Sequence, residues 1–188
     1  MTSNRSKEAF GRIGGRARLE VASLWDGAPA RVEERVVLTL EERDDTLVVD
    51  VEAPYHGDPA PNARRGSTWE LWEHEVVEVF ILGDDAHYTE LELSPHGHHL
   101  ALKLNGARNI VERHLSVHFT ASVVGDRWLG RARLDGRHLP PGACKANAYA
   151  IHGVGDARRY LAAAPVPGPH PDFHRLESFQ SVVFAFKV

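Results

Sequence analysis

Trp69-Glu-Leu-Trp-Glu-His-Glu-Val-Val-Glu-Val-Phe-Ile81, followed after a turn by Tyr88-Thr-Glu-Leu-Glu-Leu-Ser-Pro-His-Gly97, decides the fold of this chain. Both runs are rich in β-branched and aromatic residues and are bounded by turn formers, which predicts two neighbouring β-strands. Carboxylates thread through both. Gly83-Asp-Asp85 supplies the turn between them, and Ser94-Pro-His-Gly97 leads into a third strand at His99-Leu-Ala-Leu-Lys-Leu104 before the Asn105-Gly106 turn. Three sequential strands on short turns predict an antiparallel meander.

Working outward, 17–24 reads as a first short strand. Residues 32–40 and 46–53, joined at Asp44-Asp45, read as a β-hairpin. Further strands are expected at 116–124, 127–134, 145–152 and 180–187. Residues 156–164 read as one or two helical turns, ended by Pro165-Val-Pro-Gly-Pro-His-Pro171. No long amphipathic helix separates the strands, so the expectation is all-β, an antiparallel sandwich of jelly-roll type. The 188 residues suit one such domain over 16–188, behind a flexible polar segment over 1–15.

Composition excludes several functions. A formal charge of −4 gives no general field for nucleic acid. No apolar run approaches the ~20 residues that cross a bilayer. The polar start has no apolar signal-peptide core, and the single Cys144 cannot form an internal disulfide, so a cytoplasmic setting is expected. The 12 histidines do not follow a zinc-ligand spacing, and no nucleophile motif accompanies Cys144 or any serine. No metal, cofactor or catalytic residue is therefore assigned.

The period of two along a strand sorts the side chains by face. Val77, Val79 and Ile81, with Leu91 and Leu93 and with Leu100, Leu102 and Leu104, are expected in the core. The opposite face collects Glu78, Tyr88, Glu90, Glu92, Lys103, Arg131, Arg133, Lys145, Asn147 and Tyr149. Such a face is either solvated and laced with ion pairs or walled by loops into a polar site. Carboxylates and amides meet hydroxyls, and flat rings stack on apolar sugar faces. Trp72 lies at its mouth. His152, and Asp172 and His174 in the proline-rich segment, are further candidates to line a site or to bond the loop over 54–68. Glu90 and Glu92, about 7 Å apart as same-face neighbours, also match the spacing of glycosidase carboxyl pairs.

The motifs Leu71-Trp-Glu-His-Glu-Val-Val-Glu-Val-Phe80, Tyr88-Thr-Glu-Leu-Glu-Leu-Ser-Pro-His-Gly-His-His-Leu100, Ala150-Ile-His-Gly153 and Pro171-Asp-Phe-His-Arg-Leu-Glu177 resemble an uncharacterised protein family of bacteria and animals. Trp72 ahead of Val77-Glu-Val-Phe80, with the Tyr88–Gly97 strand, is also similar to family 9 carbohydrate-binding modules. That resemblance implies a β-sandwich that holds a sugar between tryptophans, with Trp72, Glu78 and Glu90 at matching positions. The leading expectation is a non-catalytic module for a carbohydrate-like or other polyhydroxyl ligand. It would be held by Trp72, Glu78, Tyr88, Glu90, Glu92, Lys103, Arg133, Asn147, Tyr149, His152, Asp172 and His174. The alternatives are a small glycoside-directed hydrolase or lyase using paired carboxylates, and an intracellular protein-interaction domain. Neither nucleic acid nor a membrane is an expected partner.

Overall fold

A computed structural model describes residues 16–182. The fold is an all-β sandwich, and every strand pair in it is antiparallel. One sheet has five strands: β1 (Arg16–Val21), β3 (Val36–Arg43), β4 (Thr46–Pro54), β10 (Arg127–Asp135) and β9 (Val117–Val124), in that spatial order. The other runs β2 (Ser23–Leu24), β12 (Arg159–Ala162), β11 (Lys145–His152), β5 (Val76–Leu82), β6 (His87–Leu93), β7 (His99–Asn105) and β8 (Ile110–Arg113), with β13 (Gln180–Ser181) paired to the start of β11. Among the described residues, no helix is long and apolar enough to cross a membrane.

The expected hairpin is β3–β4, turned through Asp44 and Asp45, both at positive φ. The expected meander is β5–β6–β7. Residues 32–34 are a single 3₁₀ turn rather than the start of a strand. The expected helical turns at 156–164 reduce to a 3₁₀ turn at Gly155–Ala157 followed by β12. The alanine-rich sequence there favours helix, but pairing with β11 supplies the hydrogen bonds that settle it as a strand. The sequence reading passed over β8. Of the strand expected at 180–187, Gln180–Ser181 is observed and residues 183–187 lie outside the described residues, as does the segment over 1–15.

Two apolar layers result. Between the sheets, Leu38, Leu40, Val49, Val51, Trp128, Ala132 and Leu134 meet Val77, Val79, Ile81, Leu91, Leu93, Ala101, Ala148 and Ala150. The second layer lies on the other side of the larger sheet. There Phe80, Tyr88, Leu100, Leu102, Leu104, Tyr149 and Ile151 are covered by Leu71, Val166, Phe173 and Phe179. All seven residues of β5 are buried as a result. The sheet is therefore sealed on both faces, as is common for parallel rather than antiparallel sheets.

This double burial corrects the placement of Leu100, Leu102 and Leu104. Register sets Leu100 opposite Glu92, Leu102 opposite Glu90 and Leu104 opposite Tyr88, so the three leucines share the face of the acids. Alternation still holds. With apolar partners on both sides, hydropathy no longer says which parity points inward.

Candidate functional site

The site begins with three glutamates on the second face of the larger sheet. Glu78 on β5 is the direct cross-strand partner of Glu92 on β6, and Glu90 stands opposite Phe80. Glu92 is fully buried, Glu78 is 2% exposed and Glu90 4% exposed. Like charges directly opposite each other destabilise a sheet. Burial is the chief reason that all three carboxyls are pushed up, Glu90 to about 7 and Glu78 and Glu92 well above the ordinary carboxylate range. Charge on Glu90 adds to the upward push on Glu78, and charge on Glu78 and Glu90 adds to that on Glu92, while Arg158 partly opposes it at Glu78. Glu92 adjoins the Trp72 backbone N–H and the Glu90 carboxyl, yet neither contact is aligned well enough to satisfy its oxygens. Oε2 of Glu90 is likewise without a partner.

Above Glu90 opens a cleft of about 470 Å³, walled by Trp69, Trp72 and Phe173, floored by Leu102 and Leu104, and rimmed by Arg108, Ile110, Arg113 and His174. The tryptophans sit on a tight bend. Glu70 adopts a left-handed φ of 61°, and a 3₁₀ turn at Leu71–Glu73 follows. Arg158 fastens this turn by donating to the carbonyls of Trp72, Glu73 and Gly153. Trp69 and Trp72 meet edge to face at 5.0 Å, and the Arg113 guanidinium lies 4.4 Å over the Trp69 ring.

The opposite wall is the proline-rich segment. The Arg108 backbone N–H donates to the Tyr88 hydroxyl at 3.1 Å, and the same hydroxyl is hydrogen-bonded to Nδ1 of His174 at 2.7 Å. Burial, helped by nearby Arg108, depresses His174 to about 4, so the ring is neutral at pH 7. Arg108 also pairs with Asp172 at 2.8 Å. Asp172 and His174 therefore tie the segment to β6 and the β7–β8 turn rather than to the loop over 54–68, and His174 lines the cleft. Tyr88→Phe removes a hydroxyl that serves two buried contacts. It is expected to lower stability by about 1–2 kcal/mol in chemical denaturation, with no change in fold by circular dichroism.

The remaining candidates divide. Asn147 and Tyr149 share the glutamates' face but fasten the cover. Nδ2 of Asn147 donates to the Tyr149 hydroxyl and the Ala164 carbonyl, and its Oδ1 accepts from the Ala148 and Ala164 amides. The Tyr149 hydroxyl donates to the Phe173 carbonyl, and the two rings stack at 3.9 Å. Three others are elsewhere. Lys103 has the parity of Thr89, on the reverse side of the sheet, where it reaches Glu112 and the Arg137 carbonyl. Arg133 projects from the outer face of the five-stranded sheet, as does Arg131, which makes a two-pronged pair with Asp50. His152 also points the other way from Tyr149. It stacks on His56 at 3.6 Å and contacts Glu34, which Arg159 holds. Lys103, Arg133 and His152 thus do not join the carboxylates: for Lys103 and Arg133 alternation fixes a parity and not the sheet or side it faces, whereas His152 has the parity of Ala148 and Ala150.

Arg108, Ile110, Arg113 and Phe173 line the cleft without having been singled out beforehand. The Ile110-Val111 pair after the Asn105-Gly106 turn was the available sign of the extra strand that carries two of them. Among the described residues, no group of three or more His, Cys, Asp or Glu is arranged to hold a metal ion.

The chain is 41% identical to the human UPF0462 protein C4orf33 over 174 residues, covering 88% of this chain and 87% of that protein. The mouse homologue is 43% identical over 169 residues, covering 85% and 88%. This chain belongs to the UPF0462 family. No family model matches it. Among solved structures, a Bacteroides uniformis protein assigned provisionally to carbohydrate binding superposes with a TM-score of 0.67 at 16% identity, covering 87% of this chain and 83% of that one. A family 9 carbohydrate-binding module from Caldicellulosiruptor kristjanssonii, in complex with glucose, gives a TM-score of 0.54 at 13% identity, covering 92% and 86%. At such identities the likeness establishes a shared fold. This chain shares the fold of those two structures.

Proposed function

We propose that this UPF0462 protein is a non-catalytic binder of a carbohydrate-like or other polyhydroxyl ligand, held in the cleft above β6, β7 and β8. The observation that carries this is the cleft framed by Trp69, Trp72 and Phe173 with the buried Glu90 carboxyl in its lining. Apolar walls suit the C–H faces of a sugar ring, and a few fixed polar groups suit its hydroxyls. His174 offers a ring nitrogen, and Glu90 can accept or, when protonated, donate. The glucose complex of the structurally similar family 9 module supports the reading from a second side.

A general acid with a value of about 7 would serve hydrolysis well, which favours the enzymatic reading. Its partner is the difficulty. Glycoside hydrolysis places two carboxyls on either side of the scissile bond. Glu78 and Glu92 stand instead on the same sheet face as Glu90 and are sealed within it. Among the described residues the cleft rim opposite Glu90 carries arginine and histidine, with Asp172 held by Arg108.

Calorimetric titration with a panel of neutral mono- and oligosaccharides tests the binding reading. At least one is expected to bind with a Kd in the micromolar to millimolar range. Trp72→Ala is expected to weaken it tenfold or more, about 1.4 kcal/mol, while shifting the melting temperature by only a few degrees. If no sugar, neutral or amino-bearing, binds at millimolar concentration, the proposal fails.

A further inference from the structure

The glutamates beneath the cleft carry more acid than a neutral sugar needs. Resting on the binding function proposed above, we infer that the preferred ligand is a sugar bearing a free primary amine, whose ammonium group sits against Glu90. Three observations lead there. Glu90, Glu78 and Glu92 form one buried patch, and Glu90, only 4% exposed, is the member that lines the cleft, with its buried Oε2 lacking a hydrogen-bond partner. Nearby cations are already engaged: Arg108 by Asp172, Arg113 by the face of Trp69, and Arg158 by backbone carbonyls. None neutralises the patch by direct contact. The walls are aromatic, and aromatic faces attract ammonium groups most strongly where water is excluded.

Ionising a buried acid without a counter-charge is costly, and a ligand that brings the counter-charge to Glu90 removes that cost on binding. A neutral sugar cannot do this. An ammonium can donate to Glu90 while its ring lies between the aromatic walls, and the hydroxyls remain free to meet His174.

The test is calorimetry at pH 7 with D-glucosamine, D-glucose and N-acetyl-D-glucosamine, on the wild-type chain and on Glu90→Gln. Glucosamine is expected to bind at least tenfold tighter than glucose, and the acetylated sugar, which has lost its charge, no tighter than glucose. Glu90→Gln keeps the shape and removes the charge, so it should bring glucosamine to within about threefold of glucose. Equal binding of glucose and glucosamine by the wild type overturns the inference and leaves polyhydroxyl binding standing. A preference for glucosamine that survives in Glu90→Gln overturns it as well, since the net negative charge would then be the cause. Failure of all three sugars, and of the neutral panel, overturns both. If the variant does not fold, the three-sugar comparison on the wild type decides alone.

Discussion

The melting temperature is expected to fall as the pH rises from 6.5 to 8.5, chiefly through Glu78 and Glu92, and Glu90→Gln is expected to raise it throughout that range. The sign follows from where the protons are. In the unfolded chain a glutamate ionises near its ordinary value of 4.5, whereas burial holds the proton on Glu90 to about 7 and on Glu78 and Glu92 well above 4.5. Between those limits the folded state binds more protons than the unfolded one, so stability declines as pH increases. The penalty is absent below about pH 4.5 and complete above the folded values. For Glu90 the interval from 4.5 to about 7 corresponds to about 3 kcal/mol.

His152 and His174 act with the opposite sign. Burial lowers both from 6.5 to about 4, so stability is lost as the pH drops below 6.5. Those histidines offset the glutamates at acidic pH and contribute nothing further above 6.5. The alkaline window therefore isolates the carboxylates. At pH 8.5 Glu90→Gln should gain up to about 3 kcal/mol, or about 6–12 °C for a chain of this size, and little at pH 5. Thermal melts at both pH values provide the check. Identical curves for variant and wild type would mean that Glu90 is not desolvated.

Trp128→Ala is expected to lower stability by about 3–5 kcal/mol, or about 6–20 °C in melting temperature. Trp128 is 1% exposed and lies between the two sheets. Its ring is so closely fitted that a methyl group added at Gly130 would come within 2.6 Å of it. Removing the indole leaves a cavity that two hydrogen-bonded sheets cannot close. Differential scanning calorimetry reads the loss, and one below about 1 kcal/mol would contradict the packing described. The contrast with Trp72→Ala is informative. One tryptophan sets stability and the other is expected to set affinity, and the two readouts should separate cleanly.

Much of the architecture is written locally. Asp44-Asp45, Gly83-Asp-Asp85 and Asn105-Gly106 mark turns because their residues tolerate positive φ, and the observed turns lie there. Val77, Val79 and Ile81 fall in the inter-sheet core, and Glu78, Glu90, Glu92 and Tyr88 fall together on the other face, as a period of two requires. Asn147 and Tyr149 join them because β11 is the direct neighbour of β5. What alternation could not provide was the sheet to which a strand belongs. Arg133 obeys the pattern and still ends on the wrong sheet, and Lys103 ends on the wrong side of the right one.

By itself, then, the sequence determined an antiparallel sandwich and put three acids in step on adjacent strands, because strand pleat and turn chemistry act over a few residues. Only the tertiary structure decided that this face is sealed rather than wet. The cover is supplied by residues 69–75 and 165–179, brought over β5, β6 and β11 by contacts such as Tyr88 with His174 and Asn147 with Ala164. Arg108 and Arg113 reach the cleft by the same route, from the β7–β8 hairpin, whose place beside β6 in the sheet depends on the register of β7. The protonation of the glutamates, and with it the chemistry of the site, follows from that burial, since desolvation is a property of the assembled layers and not of any stretch of chain.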